Sequence, residues 1–533
     1  MPNPAGSYPG VRTGQYTRDM AVTTRVTTSD GIIEGKPVGD LTTWRGIPYA
    51  APPVGPLRFR APQPTEPWQG VRDATEWGNA SIQHKRGTML AIGKYQPSSE
   101  DCLTLNVLAP NAPSANPRPV MVFIHGGAYT LGTSATPLYG GGSLVRRSLK
   151  DGDGIIYVSV NYRLGALGYL DMSQFSTPER PFDSNLGLRD QVAALEWVQR
   201  NIAEFGGDPN NVTVFGESAG GNAVTTLLAV PAAKGLFAQA ISESSAPGMT
   251  TTKERADQWA REFVGYLGGT VDNAAETLEN AEVLRLGRAG TKLGLTTLHR
   301  TPGLLPFGPV IDGDFLPVSP IEAYANGTAH RVPLIIGTNA REGTLFPKFL
   351  DALPTNPERI TKLFSLTDPD AEAVVTSGYR GYPNERSAID FGGDFTFWKP
   401  SLEVAEGHSR HASTYFYRFD FAPRSMKVLG LDATHGFELF AVFGISKTLF
   451  GKALTFAGGR KAFSDVTEQV QSQWIAFATN GKPLDSWPEY DEAERKTLIF
   501  DTRTRVQKDP RSDRRKAWAG YRGYDSQKLE PVI

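Results

Sequence analysis

Residues 212–221 read Val-Thr-Val-Phe-Gly-Glu-Ser-Ala-Gly-Gly, and Ala223-Val224-Thr225-Thr226-Leu227-Leu228 follow them. An apolar, β-branched run that meets a glycine-flanked serine and leads into a helical pattern predicts a strand, a very tight turn and a helix. That order commits the chain to alternating strands and helices, with Ser218 held at the end of a sheet. Glycines at 216 and 220 remove the Cβ atoms that would collide in such a turn. The helix behind it aims the positive end of its dipole at the serine. Gly-x-Ser-x-Gly recurs by chance in long chains; the flanking strand and helix make this one specific.

Apolar runs of strand length recur at 103–108, 120–124, 155–160, 212–215, 238–241, 332–336 and 414–419. Several are apolar almost throughout, as expected where both faces of a mainly parallel sheet are covered. Between them Leu188, Val192, Leu195, Val198, Ile202 and Phe205 step by three or four, and so do Phe463, Val466, Val470, Trp474 and Phe477. The stretches 250–300 and 353–411 are richer in charge and read as helical excursions. No Ser/Gly linker or repeat divides the chain. The expectation is one α/β domain over 21–533, with a large, mostly parallel sheet, preceded by a loose Pro/Gly-rich extension over 1–20.

Composition excludes several kinds of partner. Lys and Arg total 55 against 56 acids, a formal charge of −1, so the basic excess that nucleic acid or an anionic membrane demands is missing. No run approaches the ~18 apolar residues of a membrane span. The single cysteine, Cys102, allows neither an intrachain disulfide nor a thiolate metal cluster. The segment MPNPAGSYPGVRTGQYTRDM has no apolar core of the kind that marks a secretion signal. These features predict a cytoplasmic protein that needs no cofactor or metal and whose partner is a small molecule.

A serine hydroxyl becomes a nucleophile only when a base takes its proton and a third group orients that base. Seven histidines are available. His84, His299 and His330 fall in polar or Pro/Gly-rich loops, and His125 opens a glycine turn. His408 and His411, with Glu403 and Glu406, could suggest metal ligands, although a solvated helix face is the plainer reading. His435, in Ala-Thr-His-Gly-Phe-Glu-Leu-Phe, comes late in the chain beside a small residue and ahead of an apolar helix. In enzymes with an elbow serine the histidine follows the acid in chain order, so His435 is the candidate base. The acid should end a strand between the two. Glu342, in the turn fed by Val332–Gly337, is the first candidate; Asp312 and Asp314 compete, though Asp-Gly there reads as turn chemistry. Val120–Ile124 ends in His-Gly-Gly-Ala, whose small residues let the main chain approach a substrate. By position the amides of Gly127, Ala128 and Ala219 would form an oxyanion hole.

These residues sit in longer blocks. WRGIPYAAPPVGPLRF (44–59), SEDCLTLNV (99–107), VFIHGGAY (122–129), VNYRLGALGYL (160–170), the run 185–221, GTNAREGTLF (337–346) and HGFELFAVFG (435–444) together resemble the type-B carboxylesterases, from about residue 22 to 505. That α/β-hydrolase family also contains the bacterial p-nitrobenzyl esterases and the cholinesterases. The resemblance implies an α/β-hydrolase fold with helical excursions around an active-site gorge, and hydrolysis of small-molecule esters through an acyl-enzyme. It implies the same Ser218, Glu342 and His435, the same three amides, and Glu217 near the histidine as a secondary electrostatic contributor. An amidase or carbamate hydrolase using the same triad is the alternative. A non-enzymatic binding role fits less well, because all three triad residues are present. Three departures stand out. Arg341 replaces the acid that commonly precedes the triad glutamate, the family's disulfide at the SEDCL cysteine cannot form, and 81–98 offers no tryptophan to a quaternary ammonium. Residues 81–98, 285–310, 390–400 and 437–463 are expected to shape the substrate pockets, with Phe307, Phe395, Phe397, Phe440 and Phe443 as lining or core.

Overall fold

The computed structural model describes residues 24–521 and 523, apart from 151, 350 and 351, so the expected extension over 1–20 lies outside the described residues. The predicted strands all form, each within a few residues of its expected bounds. They belong to an eleven-stranded sheet. In chain order its strands are β1 (Lys36–Val38), β2 (Leu41–Pro48), β3 (Thr104–Pro110), β4 (Arg118–Ile124), β5 (Ile156–Val160) and β6 (Gly207–Glu217). β7 (Gln239–Glu243), β8 (Leu334–Asn339), β9 (Thr414–Phe419), β10 (Lys496–Phe500) and β11 (Arg505–Lys508) complete it. Across the sheet the order is β11-β10-β9-β8-β7-β6-β4-β5-β3-β2-β1. Every neighbouring pair from β10 to β5 is parallel, and the pairs toward the two edges are antiparallel. The carboxyl ends of the parallel strands therefore share one edge of the sheet, where open α/β sheets place their sites.

Strand alternation sorts side chains into two cores. Val120, Val122 and Ile124 of β4 enter one, and Met121 and Phe123 enter the other. β6 repeats the pattern, with Val212 and Val214 on the first side and Phe215 on the second. The two helices foreseen from periodicity cover opposite faces. Leu186–Asn201 packs Leu188, Val192, Leu195 and Val198 into the first core. Arg460–Asn480 packs Phe463, Val466, Val470, Trp474 and Phe477 into the second. With both faces covered, continuous apolar strands are the physical requirement.

The charged excursions are helical, as expected. Lys253–Tyr266, Ala274–Asn280 and Val283–Arg300 fill the first, and Pro357–Leu366, Glu372–Ser377, Glu385–Gly393 and Lys399–Ser409 fill most of the second. One π-helical turn, Asp394–Trp398, interrupts the second run. No helix among the described residues is long and apolar enough to cross a membrane.

A buried ion pair joins the loop after β5 to the first covering helix. Arg163 donates from Nη2 and Nε to the two oxygens of Asp190 at 2.6 and 2.8 Å, with side-chain exposures of 4% and 0%. Removing one member would strand the other charge without solvent. Asp190→Ala is therefore expected to destabilise the fold by about 3–5 kcal/mol, read from the shift in a denaturant unfolding midpoint against the wild-type chain.

Candidate active site

β6 stops at Glu217 and the helix Ala219–Leu227 begins at the next residue but one, so the whole reversal falls on Ser218. Its backbone sits at φ 59°, ψ −123°. A non-glycine residue there costs on the order of 1–3 kcal/mol and persists only when its surroundings impose it. The surroundings do. A Cβ on Gly220 would lie 2.0 Å from the carbonyl oxygen of Ile124, and one on Gly216 would lie 2.6 Å from the same atom. The Ser218 amide meanwhile donates to the Glu243 carbonyl at 2.9 Å. The elbow is thus wedged between the ends of β4 and β7.

Three side chains meet above it. His435 Nε2 lies 2.8 Å from Ser218 Oγ, and His435 Nδ1 lies 2.7 Å from Glu342 Oε2. The other oxygen of Glu342 accepts from the Asn339 amide at 2.5 Å and from the Ser244 hydroxyl at 2.7 Å. Every partner of Glu342 can donate, so its position suits a carboxylate acceptor. The imidazole is held between rings, with Phe397 stacked at 4.2 Å and Phe346 at 5.3 Å between centroids. Ring contacts and the carboxylate together fix its plane.

β4 continues into the glycine turn beside the serine. A Cβ on Gly126 would lie 2.5 Å from the Glu217 carbonyl oxygen and 3.0 Å from Ser218 Cβ. Gly127 takes φ 119° and Ala128 φ 52°. Their amides donate to no group among the described residues, while the Gly127 carbonyl accepts from Thr130 and Leu131. With the first amide of the following helix, at Ala219, they are the candidate oxyanion donors of the turn.

Three buried glutamates, Glu217, Glu342 and Glu438, act on the imidazole, and a fourth, Glu243, interacts with Glu217 and Glu438; the sequence singled out Glu217 and Glu342. Glu217 Oε1 is 3.4 Å from His435 Nε2 and has no hydrogen-bond partner. Asn339 donates to Glu438, whose other oxygen lies within hydrogen-bonding range of Ser244 Oγ, and the indole of Trp474 donates to Glu243 at 2.6 Å. Ser244 has one hydroxyl hydrogen but lies in bonding range of both Glu342 and Glu438. One of those carboxyls must therefore carry a proton. Burial, reinforced by the charge of Glu342, pushes Glu438 up to about 8, which assigns the proton to it. Burial likewise pushes Glu217 up to about 7. For His435, burial opposes the charged ring, but the carboxyls of Glu217, Glu342 and Glu438 outweigh it and the net direction is upward. Because Glu438 holds its proton near neutrality, its share of that upward pull is absent there, and the charge of Glu217 is the one that acts on the ring together with Glu342. Ser244, Asn339, Glu243 and Glu438 escaped the sequence reading, although Asn339 and Glu438 lie within quoted blocks.

The remaining candidates fall elsewhere. Asp312 accepts from Ser184, Asn185, Asp314 and Leu316, the pattern of a pinned turn. His125 is buried against Tyr162, with burial lowering it to about 4. His299 is helical rather than in a loop. His408 corrects the solvated-face reading: it is buried, with Nε2 at 2.8 Å from the Val332 carbonyl oxygen, because its helix lies over β8. No metal-binding cluster occurs among the described residues. Of the five pocket aromatics, Phe397 reaches the site. Phe395 stacks toward Phe391 and Trp518, Phe443 packs on Phe123 and Phe215, and Phe307 joins the main core. Phe440, half-buried, meets Phe437 and Phe450. A cleft of about 480 Å³ lies against residues 83–98, and none of the triad candidates lines it. Gln83 ties that segment to Gly132 through two hydrogen bonds of 2.7 and 2.8 Å.

The model of the carboxylesterase family matches residues 22–518. A para-nitrobenzyl esterase of Bacillus subtilis (strain 168) is 40% identical over 512 residues, spanning 92% of this chain and 97% of its own. A cocaine esterase of Oryctolagus cuniculus is 35% identical, spanning 87% and 88%. Among solved structures, one titled a thermophilic PNB esterase superposes with a TM-score of 0.83 at 38% identity, covering 93% of this chain and 99% of that one. A Geobacillus stearothermophilus carboxylesterase gives 0.80 at 31%, covering 93% and 100%.

Glu217→Gln would delete a carboxyl 3.4 Å from the imidazole. Loss of that negative charge disfavours the protonated ring, so the neutral form survives to lower pH. The acid limb of the kcat/KM profile should move down by roughly one unit, equivalent to ~1.4 kcal/mol. A limb that stays put or rises would count against this electrostatic picture.

Proposed function

The chain belongs to the carboxylesterase family and is a carboxylic ester hydrolase; from that premise we propose Ser218, His435 and Glu342 as the groups that carry the reaction. His435 takes the proton of Ser218 as the hydroxyl oxygen attacks the ester carbonyl. Glu342 holds the ring in the tautomer that leaves Nε2 free to accept. The amides of Gly127, Ala128 and Ala219 receive the charge that develops on the carbonyl oxygen. The imidazolium returns its proton to the departing alcohol. Water, deprotonated by the same ring, then releases the acid from the acyl-enzyme. Glu217 acts as a secondary electrostatic contributor.

The observation that carries this reading is the unbroken hydrogen-bonded chain from Ser218 Oγ through both ring nitrogens to Glu342, at 2.8 and 2.7 Å. The strained serine backbone supports it, because strain of this kind collects at functional positions. The relatives' names specify esters of p-nitrobenzyl alcohol and cocaine for those proteins. For this chain we propose small esters with an apolar or aromatic group, since Phe346 and Phe397 flank the imidazole. Nucleic acid and membrane are not proposed as partners. We further propose that residues 21–533 act as one domain, as strands drawn from Lys36 to Lys508 share a sheet. A cytoplasmic setting is proposed on the strength of the buried, free Cys102.

Ser218→Ala should lower turnover of p-nitrophenyl acetate by about 10⁴- to 10⁶-fold, measured under conditions where the wild type is saturated. An organophosphate should label the wild type once, on the peptide that contains Ser218. Wild-type turnover by the variant, or labelling elsewhere, would overturn the assignment.

A further inference from the structure

Arg341 departs from the family pattern recognised in the sequence, and it stands next to Glu342. Its side chain, 15% exposed, bridges two segments: Nε donates to Asp390 Oδ1 and Nη1 to Asp432 Oδ2, both at 2.9 Å. Asp432 lies three residues before His435, on the loop that brings the histidine in, and is itself held at φ 51°. Asp390 is on the helix Glu385–Gly393. Asp390 also accepts from Arg514 Nη2 at 3.1 Å, and Arg514 reaches Asp394 at 2.8 Å. Asp394 accepts from Arg511 at 2.6 Å, and Arg511 donates back to the carbonyl of Ala340. The path closes on the residue before Arg341. Three guanidinium groups and two carboxylates thus form a ring that closes through the Ala340 carbonyl at the turn presenting Glu342, and Asp432 is attached to it at Arg341.

The same turn grips the histidine loop through its main chain. The Arg341 amide donates to the Ala433 carbonyl at 3.0 Å, and Thr344 Oγ1 donates to the Leu431 carbonyl at 2.6 Å and lies 2.8 Å from Thr434 Oγ1. Neither loop is held in register by the sheet beyond Asn339 and Phe419. Their separation, and with it the 2.7 Å contact between Glu342 and His435, depends on these cross-loop bonds.

We infer that Arg341 is a positioning residue for the reaction, a charged clip that sets the spacing between the loop of the triad acid and the loop of the triad base. The inference rests on the assignment of Glu342 and His435 made above. Arg341 touches no reacting atom and acts through those two residues. A planar guanidinium suits the task, because it holds two carboxylates at fixed angles where an ammonium would serve as a point charge. An acid at this position would face Asp390 and Asp432 and could not make the clip.

The test compares the wild type with Arg341→Met, Arg341→Lys, Asp432→Asn and the Arg341→Met/Asp432→Asn double variant, each scored per active site titrated with an organophosphate. Arg341→Met should lower kcat roughly 10- to 100-fold with little change in KM. Its acid limb in kcat/KM should move upward, because Asp390 and Asp432 lose a compensating cation while Glu217 and Glu342 still face the ring. Arg341→Lys should fall between. The double variant should lose no more than the worse single variant, since the two side chains make one contact. Wild-type kcat and an unmoved limb in Arg341→Met would overturn the inference. So would a reduced fraction of titratable sites with normal turnover per site, which would make the residue one of folding alone. Failure of the wild type itself to react at Ser218 would instead overturn the catalytic assignment.

Discussion

Everything at the site descends from one backbone contact, the first turn of the helix after Ser218 pressed onto the end of β4. A methyl group at Gly220 would stand 2.0 Å from the Ile124 carbonyl oxygen, a distance that no side chain can relieve, since backbone blocks it. The contact fixes two things together. It pins the helix that drives Ser218 into φ 59°, and it sets the height of the glycine turn that β4 becomes. Nucleophile and candidate oxyanion donors are therefore placed by one constraint, and neither can shift without the other. The same logic passes sideways through the sheet. Ser218 donates to the Glu243 carbonyl at 2.9 Å, and Ser244 donates to that of Gly337 at 2.8 Å, two residues before the Asn339 amide that binds Glu342.

Electrostatics then decides which protonation states the geometry can use. Glu217, Glu243, Glu342 and Glu438 form one buried cluster at the site, and four ionised carboxylates there would be prohibitively unfavourable. Burial and mutual repulsion push Glu217, Glu243 and Glu438 upward, toward their neutral forms. Once Glu438 holds a proton, it can donate to Ser244, and the Ser244 hydroxyl can point at Glu342. A carboxylate that faces only donors is the arrangement that keeps the Nδ1 proton of His435 in place and Nε2 open to the serine. The cluster is thus a way of concentrating negative charge on the acid that hydrogen-bonds the ring.

Much of this was legible in the residues, and what was not has physical causes. Strands came through because each is covered on both faces, so nearly every side chain from Val120 to Ile124 had to be apolar. Ser218 and its glycines were readable because a backbone collision permits few substitutes. His435 emerged by chain order and Glu342 by its place after a strand, both of which are topological. Ser244, Asn339, Glu243 and Glu438 were silent because their role depends on partners 95 to 231 residues away in sequence, and a buried Ser, Asn or Glu has no periodicity of its own. His408 misled for a related reason. A histidine on a helix beside glutamates reads as solvated until β8 is seen beneath it, with the Val332 carbonyl oxygen at 2.8 Å. Phe395 and Phe397, two residues apart, show the limit most sharply. A π-helical turn sends one ring to the core and the other to the imidazole, and composition alone cannot divide them.

The site is consequently held by two different kinds of force. Ser218 and the glycine turn are fixed by main-chain packing at the ends of β4 and β6, which any chain with this fold must reproduce. Glu342 and His435 sit on loops past the last sheet pairings, at Asn339 and Phe419, and are fixed by side chains: hydroxyls, ion pairs and the two phenyl rings. Substitutions at the first set collide with backbone and threaten folding. Substitutions at the second change a distance of a few tenths of an ångström between acid and base while leaving the sheet intact. Loop contacts such as those of Arg341 with Asp390 and Asp432 can therefore change while the fold is kept. Because proton transfer depends steeply on donor–acceptor geometry, that freedom acts on rate more readily than on stability.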